Sequence, residues 1–186
     1  EKAHQLKEFV ESLFEWVKLD AGEQVYHFEQ LDLNELTRNI MADWIPTLEN
    51  SHFEYDIDIP ENEYFMKIDV RAYIRILNNL IQNILTHSGG NKLTLRITEN
   101  ESQAQLAVTD NGIGISPRDL PKVTQKGYTG TTGRKYAKST GMGLYLCSCL
   151  SRKLGLHFSI ESEEGAWTKV RIGFPRNSMT FLKKEE

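Results

Sequence analysis

Four polar side chains recur at four-residue steps in "DVRAYIRILNNLIQNILTHS": Arg75, Asn79, Asn83 and His87. If this segment is a helix, they stack on one face beside a broad apolar stripe. An amide oxygen is a hard, neutral ligand that suits Mg²⁺, which takes oxygen ligands and keeps substrate phosphates in its shell. The two asparagines therefore indicate a ligand site that includes a cation, although the helix taken alone fits an exposed polar face as readily.

A carboxylate and two glycines close the apolar stretch "LAVTDNGIGIS". Asp110 stands at the end of a predicted strand, and Gly112 and Gly114 follow it. Glycine lets the backbone turn sharply and approach a ligand closely, and a carboxylate at a strand end can accept a hydrogen bond from a ligand amino group. The stretch predicts the floor of a binding site; the alternative is a simple Asp-Asn-Gly turn.

Residues 116–140 form a long basic segment without hydrophobic periodicity, in which six lysines and arginines accompany one acid, Asp119. Loops this long inside compact domains are usually functional or disordered, and positive charge with unhindered backbone amides suits a polyphosphate. Gly141 and Gly143 then open a predicted helix, whose N-terminus favours an anion. We predict that residues 116–140 are a lid over a nucleotide. The motifs of P-loop, dinucleotide-binding and protein-kinase folds are absent from the sequence.

The composition is that of a globular protein of ordinary size, with 186 residues, 39% hydrophobic and 26% charged. A net charge of −4 argues against non-specific nucleic-acid binding. Only Cys147 and Cys149 occur, and we interpret them as reduced thiols. No apolar run reaches the roughly 18 residues of a membrane span. The first residue is Glu1, so we expect a piece of a longer protein.

The periodicities predict an α+β fold, with helices layered on one face of a mostly antiparallel sheet. The opening segment predicts an amphipathic helix, either packed on its own domain or forming half of a helical seam. Helices are predicted for 33–50, with a bend or break at Pro46, for 69–87, and after the second glycine cluster up to Gly155. Strands are predicted on both sides of the Pro-Glu-Asn turn, for "KLTLRITEN" and "AQLAVTD", and for "HFSIES" and "WTKVRIGF".

Taken in order, "RILNNLIQNILTHS", "DNGIGI", the basic lid and "STGMGLYL" resemble the ATP-binding catalytic domain of bacterial sensor histidine kinases. These belong to the class that includes the gyrase, Hsp90 and MutL ATPases. The sequence is most similar to the bacitracin-sensor type of Gram-positive bacteria. The resemblance implies a two-layer α/β sandwich of the Bergerat type, with a mixed sheet and helices on one face. It also implies that residues 1–22 end a dimerisation and phosphotransfer helix, and that residues 23–186 are the catalytic domain.

The resemblance implies a role for each matched residue. Asn83 would be the catalytic residue that ligates Mg²⁺ at the ATP phosphates. Asn79 would support it or contact phosphate, and His87 would lie near the phosphates. Asp110 would accept the adenine amino group, and Thr168 would lie near the adenine. The other expected cofactor-binding residues come from the lid and from the two glycine boxes, "DNGIGI" and "STGMGLYL": Gly112, Ile113, Gly114, Lys126, Gly127, Tyr128, Thr129, Gly130, Arg134, Gly141, Met142, Gly143 and Leu144.

The sequence departs from the family pattern at three points. Thr86 stands where many of these kinases carry Lys or Arg, and Trp167 replaces a usual glycine. None of the five histidines lies in a phosphoacceptor motif of the H-[ED]-x-x-[TN]-P kind. We therefore expect the acceptor histidine outside this sequence, and we expect the chain to bind ATP or ADP without phosphorylating itself.

The expected activity is ATP-dependent phosphorylation of a histidine, for relay to the receiver domain of a response regulator. The expected cofactors are ATP and Mg²⁺. The whole protein is expected to be a homodimer through the helical bundle, with no nucleic-acid partner, and to be a bacterial membrane protein whose cytoplasmic domain is seen here. Two alternatives stay open: another ATPase or an anti-sigma Ser kinase of the same fold class, and a degenerate nucleotide-binding module without catalysis.

Overall fold

The computed structural model describes residues 25–128 and 141–176, together with four positions in the opening segment. These four, Val10, Phe14, Val17 and Lys18, are helical and exposed. The assignment of residues 1–22 to a dimerisation helix, and of the rest to one catalytic domain, stays a prediction.

From Glu29 to Pro175, with residues 129–140 left aside, three helices and seven strands follow one another along the chain. The strands are β1 (Glu29–Asp32), β2 (Glu54–Asp58), β3 (Phe65–Ile68), β4 (Lys92–Glu99), β5 (Gln103–Asp110), β6 (His157–Glu163) and β7 (Trp167–Pro175). The helices are α1 (Leu33–Asn50), α2 (Val70–His87) and α3 (Gly143–Lys153), with a short 3₁₀ turn at Leu120–Lys122.

Five of the strands form one mixed sheet in the order β2-β4-β5-β7-β6. Strand β2 runs parallel to β4, and the other neighbours are antiparallel. Strands β1 and β3 form a separate antiparallel pair. Both strands beside the Pro-Glu-Asn turn therefore exist as predicted, but they pair with different partners and not with each other.

The core lies between one face of the sheet and the helices. Inward-facing residues alternate along the central strands and are buried, as in Leu93 and Leu95 of β4 or Ile172 and Phe174 of β7. The ring of Tyr73 on α2 meets that of Phe174 edge-on, with 5.8 Å between the centroids. This is the predicted two-layer arrangement with helices on one face.

Aspartate caps fix where the first two helices begin. The Asp32 carboxylate accepts from the backbone N–H of Asn34 at 3.0 Å, and the Asp69 carboxylate accepts from that of Ala72 at 2.9 Å. Asp69 thereby sets the register of α2 and of its polar ridge, the row formed by Arg75, Asn79, Asn83 and His87. The helices among the described residues lack the combination of length and apolar character that crossing a membrane requires.

Helix α1 runs through Pro46 from Leu33 to Asn50. Of the bend or break predicted there, the break is wrong and the bend stays a prediction. A proline removes one hydrogen bond to the carbonyl four residues earlier. That carbonyl belongs to Ala42, which is exposed, so water can satisfy it.

Candidate active site

Helix α2 contacts both glycine boxes. A Cβ atom placed on Gly143, the first residue of α3, would lie 3.1 Å from both the Oδ1 and the Nδ2 of Asn83. One turn further along, the Ser88 carbonyl accepts a hydrogen bond of 2.7 Å from the backbone N–H of Ile113. The motifs that the sequence places about 30 residues apart or more therefore meet at the C-terminal half of one helix.

The loop after β5 requires glycine because other backbone segments lie against it on two sides. A Cβ on Gly112 would come within 2.1 Å of the Ser88 carbonyl oxygen. A Cβ on Gly114, whose φ is +63°, would come within 2.0 Å of the Glu163 carbonyl oxygen. The loop is thus wedged between the end of α2 and the turn that joins β6 to β7.

Asp110 ends β5 as a buried carboxylate, with 7% of its surface exposed. Its Oδ1 accepts a hydrogen bond of 2.8 Å from the backbone N–H of Gly112. Burial raises the pKa of the Asp110 carboxyl above its usual value, and the Gly112 hydrogen bond partly offsets this. Within the described residues, no donor contacts Oδ2, so this oxygen can accept an N–H from a ligand.

Thr168 lies directly opposite Asp110 in the antiparallel register of β5 and β7. Directly opposed residues point to the same face of a sheet, with Cβ atoms about 4.5–5.5 Å apart. Thr168 is half-buried, whereas the side chain of Ile113 in the adjacent loop is 42% exposed. A carboxylate and a hydroxyl therefore adjoin where β5 ends, and an exposed apolar residue follows three positions further along the chain.

The polar ridge of α2 is half-buried along its length. Asn79 uses one amide N–H to bond the Arg75 carbonyl at 2.9 Å, whereas the amide of Asn83 faces the start of α3. Burial lowers the pKa of His87 below its usual value. Thr86 is exposed and accepts a hydrogen bond of 2.9 Å from Gln82 on the same helix. Asn83 is thus the ridge residue that the structure brings against a glycine box.

The described ends of the lid meet at Gly141. A Cβ on Gly141, whose φ is +65°, would lie 2.7 Å from the Tyr128 carbonyl oxygen and 2.8 Å from the carbonyl carbon of Gly127. The Tyr128 hydroxyl donates to Asp119 Oδ1 at 2.7 Å, and Asp119 is buried. Lys126 is exposed. The predicted lid residues Thr129, Gly130 and Arg134 lie outside the described residues.

The second glycine box leads from the lid into α3. Met142 occupies the N-cap position, and Leu144 in the first turn is half-buried against the core. Because Gly143 lies beside Asn83, the N-terminal end of α3 lies next to the polar ridge of α2. A helix N-terminus beside an amide oxygen provides both an anion-binding end and a cation ligand.

Two serines of the site are missing from the sequence predictions. Ser88 supplies the carbonyl that holds the Gly112 loop, and Ser162 on β6 receives the N–H of Ile115 at 2.8 Å. The sequence does contain a signal for Ser162. It is a polar residue at the next inward-facing position of the strand after Phe158 and Ile160. Ser88 acts through its backbone and has no such signal.

Comparison with known proteins places the chain in a family. Residues 68–178 match the family described as "Histidine kinase-, DNA gyrase B-, and HSP90-like ATPase". The chain belongs to this family. The family match includes α2, both glycine boxes and β7, so it contains the whole of the site described above.

Relatives of the chain include sensor kinases of staphylococci. The sensor histidine kinase GraS of Staphylococcus haemolyticus (strain JCSC1435) is 26% identical over 174 residues, which cover 94% of this chain and 50% of that protein. The sensor protein kinase GraS of Staphylococcus aureus (strain Newman) is 31% identical over 121 residues, covering 65% of this chain and 35% of that protein. The chain thus spans half or less of the length of these relatives.

Among solved structures, the histidine kinase AdeS of Acinetobacter baumannii has a similar fold. The TM-score is 0.73 at 19% sequence identity, with 94% of this chain and 80% of that chain covered. The predicted fold class and the predicted resemblance to bacitracin-sensor-type sensor kinases are confirmed.

Proposed function

We propose that this chain is the ATP-binding catalytic part of a two-component sensor histidine kinase. It binds Mg-ATP and transfers the γ-phosphoryl group to a histidine ring nitrogen on the dimerisation part, from which a response regulator receives it. The observation that carries the proposal is the convergence on α2: Asn83 faces the glycine start of α3, and the end of the same helix holds the Asp110 loop. Membership of the ATPase family and sensor kinases as relatives support it.

The purine end of the site would be formed where β5 ends and β7 begins. Asp110 has one oxygen engaged by Gly112 and the other available to accept an N–H of the adenine amino group. Ile113 offers an exposed apolar surface for the base. Because the carboxylate is buried, water weakens its hydrogen bond to a ligand less than it would weaken one made by a carboxylate on the surface.

The phosphate end would be formed where α2 meets α3. The residues fit a magnesium ion, since Asn83 brings an amide oxygen to the N-terminal end of a helix and Gly143 leaves room beside it. Asn83 would ligate the cation, Asn79 would support it, and Lys126 with Arg134 would face the phosphates. When bound, Mg²⁺ neutralises phosphate charge. The residues of this chain orient the nucleotide and keep it aligned, which phosphoryl transfer chiefly requires.

The activity of the whole protein belongs to the same proposal. The acceptor histidine would lie on the dimerisation helix of a partner or of the same chain, and the exposed apolar residues Val10, Phe14 and Val17 support a helical seam there. Dimerisation, a response-regulator partner and attachment to the cell membrane are proposed by analogy with the sensor kinases that are its relatives.

Calorimetric titration of Mg-ADP against the wild type and Asn83→Ala tests the nucleotide site. We expect the wild type to bind only weakly in the presence of a chelator, and Asn83→Ala to lose most of the magnesium-dependent part of the affinity. Asn78→Ala is the matched control, because Asn78 lies on the same helix but accepts a hydrogen bond of 2.7 Å from Trp44. It should lower the melting temperature and keep binding. Equal binding by the wild type and Asn83→Ala would refute the proposal.

A further inference from the structure

Ser162 on β6 joins three parts of the candidate site through one hydroxyl group. Its Oγ receives the backbone N–H of Ile115 at 2.8 Å. It lies 2.7 Å from the Trp167 carbonyl oxygen and 3.0 Å from the Thr168 hydroxyl oxygen. The first contact reaches the loop after Asp110, and the other two reach the start of β7.

The direction of each hydrogen bond follows from counting protons. A serine hydroxyl has one proton to donate and two lone pairs that accept. The Trp167 carbonyl can only accept, so the proton of Ser162 points to it. The backbone N–H of Ile115 occupies one lone pair. The remaining lone pair can only receive the proton of the Thr168 hydroxyl, which fixes the direction of that bond.

This direction determines what Thr168 can offer a ligand. With its proton given to Ser162, the Thr168 oxygen has only lone pairs left. Directly across the β5–β7 pair stands Asp110, whose carboxylate is also an acceptor. The Asp110 carboxylate and the Thr168 hydroxyl oxygen together offer a ligand hydrogen-bond acceptors and no donor.

We propose that Ser162 is a positioning residue that fixes Thr168 as an acceptor and thereby makes the site select an amino group over a carbonyl at position 6 of the purine. The inference rests on the proposed function, because it needs a purine at Asp110. Adenine presents an N–H₂ group at this position. Hypoxanthine presents a carbonyl oxygen there, which meets two acceptors and no donor.

The test compares dissociation constants of Mg-ADP and Mg-IDP for the wild type and Ser162→Ala. Removing the serine hydroxyl frees the Thr168 proton, which can then be donated to the carbonyl of IDP. We expect the ratio of the IDP constant to the ADP constant to fall by about three- to tenfold, the range of one neutral hydrogen bond. Ser159→Ala, an exposed serine on the same strand, should leave the ratio unchanged.

A double-mutant comparison separates selection through Thr168 from a structural effect. In a Thr168→Val background, Ser162→Ala should no longer change the ratio, because there is no proton left to release. If Ser162→Ala weakens ADP and IDP by the same factor, or changes the ratio equally in both backgrounds, the inference is wrong. Wild-type protein that binds no ADP would instead refute the proposed function itself.

Discussion

Replacing Gly143 with alanine should leave the fold intact and impair the nucleotide site. Gly143 is the first residue of α3 and has no positive φ, so alanine fits its backbone. Such a replacement typically stabilises a protein by about 0.4–1 kcal/mol, chiefly by restricting the unfolded chain. For a chain of this length that is about 1–4 °C in melting temperature, reduced by whatever the new contact costs.

The new contact falls on the amide of Asn83. The added Cβ would lie 3.1 Å from both amide heavy atoms, about 0.3 Å closer than the 3.4 Å at which ordinary contact begins. The amide must therefore retreat by a few tenths of an ångström. Mg²⁺ demands ligands at about 2.0–2.1 Å in near-octahedral geometry, so we expect the Mg-ADP dissociation constant to rise about tenfold, which is about 1.4 kcal/mol.

Thermal melting and calorimetric titration of Mg-ADP measure the two effects separately. Gly143→Ala should melt at or above the wild-type temperature and bind about tenfold more weakly. Adding Gly143→Ala to Asn83→Ala should cause no further loss, because the displaced amide is already gone. Wild-type affinity in Gly143→Ala, or the same tenfold loss in both backgrounds, would show that the contact with Asn83 does not govern metal binding.

Three further predictions follow from the site and its surroundings. Gly112→Ala should lower the melting temperature by about 3–10 °C, because its Cβ collides with the Ser88 carbonyl; an unchanged melt would contradict this. Burial raises the pKa of Cys147 to about 12, so Ellman's reagent at pH 8 should titrate one thiol, Cys149, in native protein and both in denaturant. The pKa of His87 lies below 6.5 in the folded protein, so the unfolded chain binds more protons in that window. Its share of the stability is lost as the pH falls from 6.5 to the folded value, and an NMR midpoint at or above 6.5 would exclude this.

The helices and their start points could be predicted because local features determine them. The apolar periodicity predicts the extent of α2. Its start is predictable because an aspartate at the N-cap, here Asp69, accepts hydrogen bonds from the first free backbone N–H groups of a helix. The strands beside the Pro-Glu-Asn turn were also recognisable from alternation. Their partners were not, because pairing of β2 with β4 depends on contacts far apart in the sequence.

The site could be predicted in its parts more readily than in its contacts. Residue chemistry indicates Asn83, because asparagine inside a helix costs stability relative to alanine. It indicates Asp110, because a carboxylate at a strand end beside glycines can accept a hydrogen bond from a ligand. Whether these residues act as predicted depends on the ligand and stays a prediction. Ser162 was missed because its effect depends on three partners brought together by the fold. The absence of a break at Pro46 could not be predicted, because the cost of a lost hydrogen bond depends on solvent access to one carbonyl.

The most direct measurement is the affinity of Asp110→Asn for Mg-ADP. Asparagine keeps an oxygen for the Gly112 N–H and removes a charge whose burial is unfavourable, so folding should be retained. If the carboxylate receives the adenine amino group, the variant loses a charge-assisted hydrogen bond worth about 1.5–3 kcal/mol, and its dissociation constant should rise by about ten- to a hundredfold. Undiminished affinity in a folded Asp110→Asn protein would contradict the account.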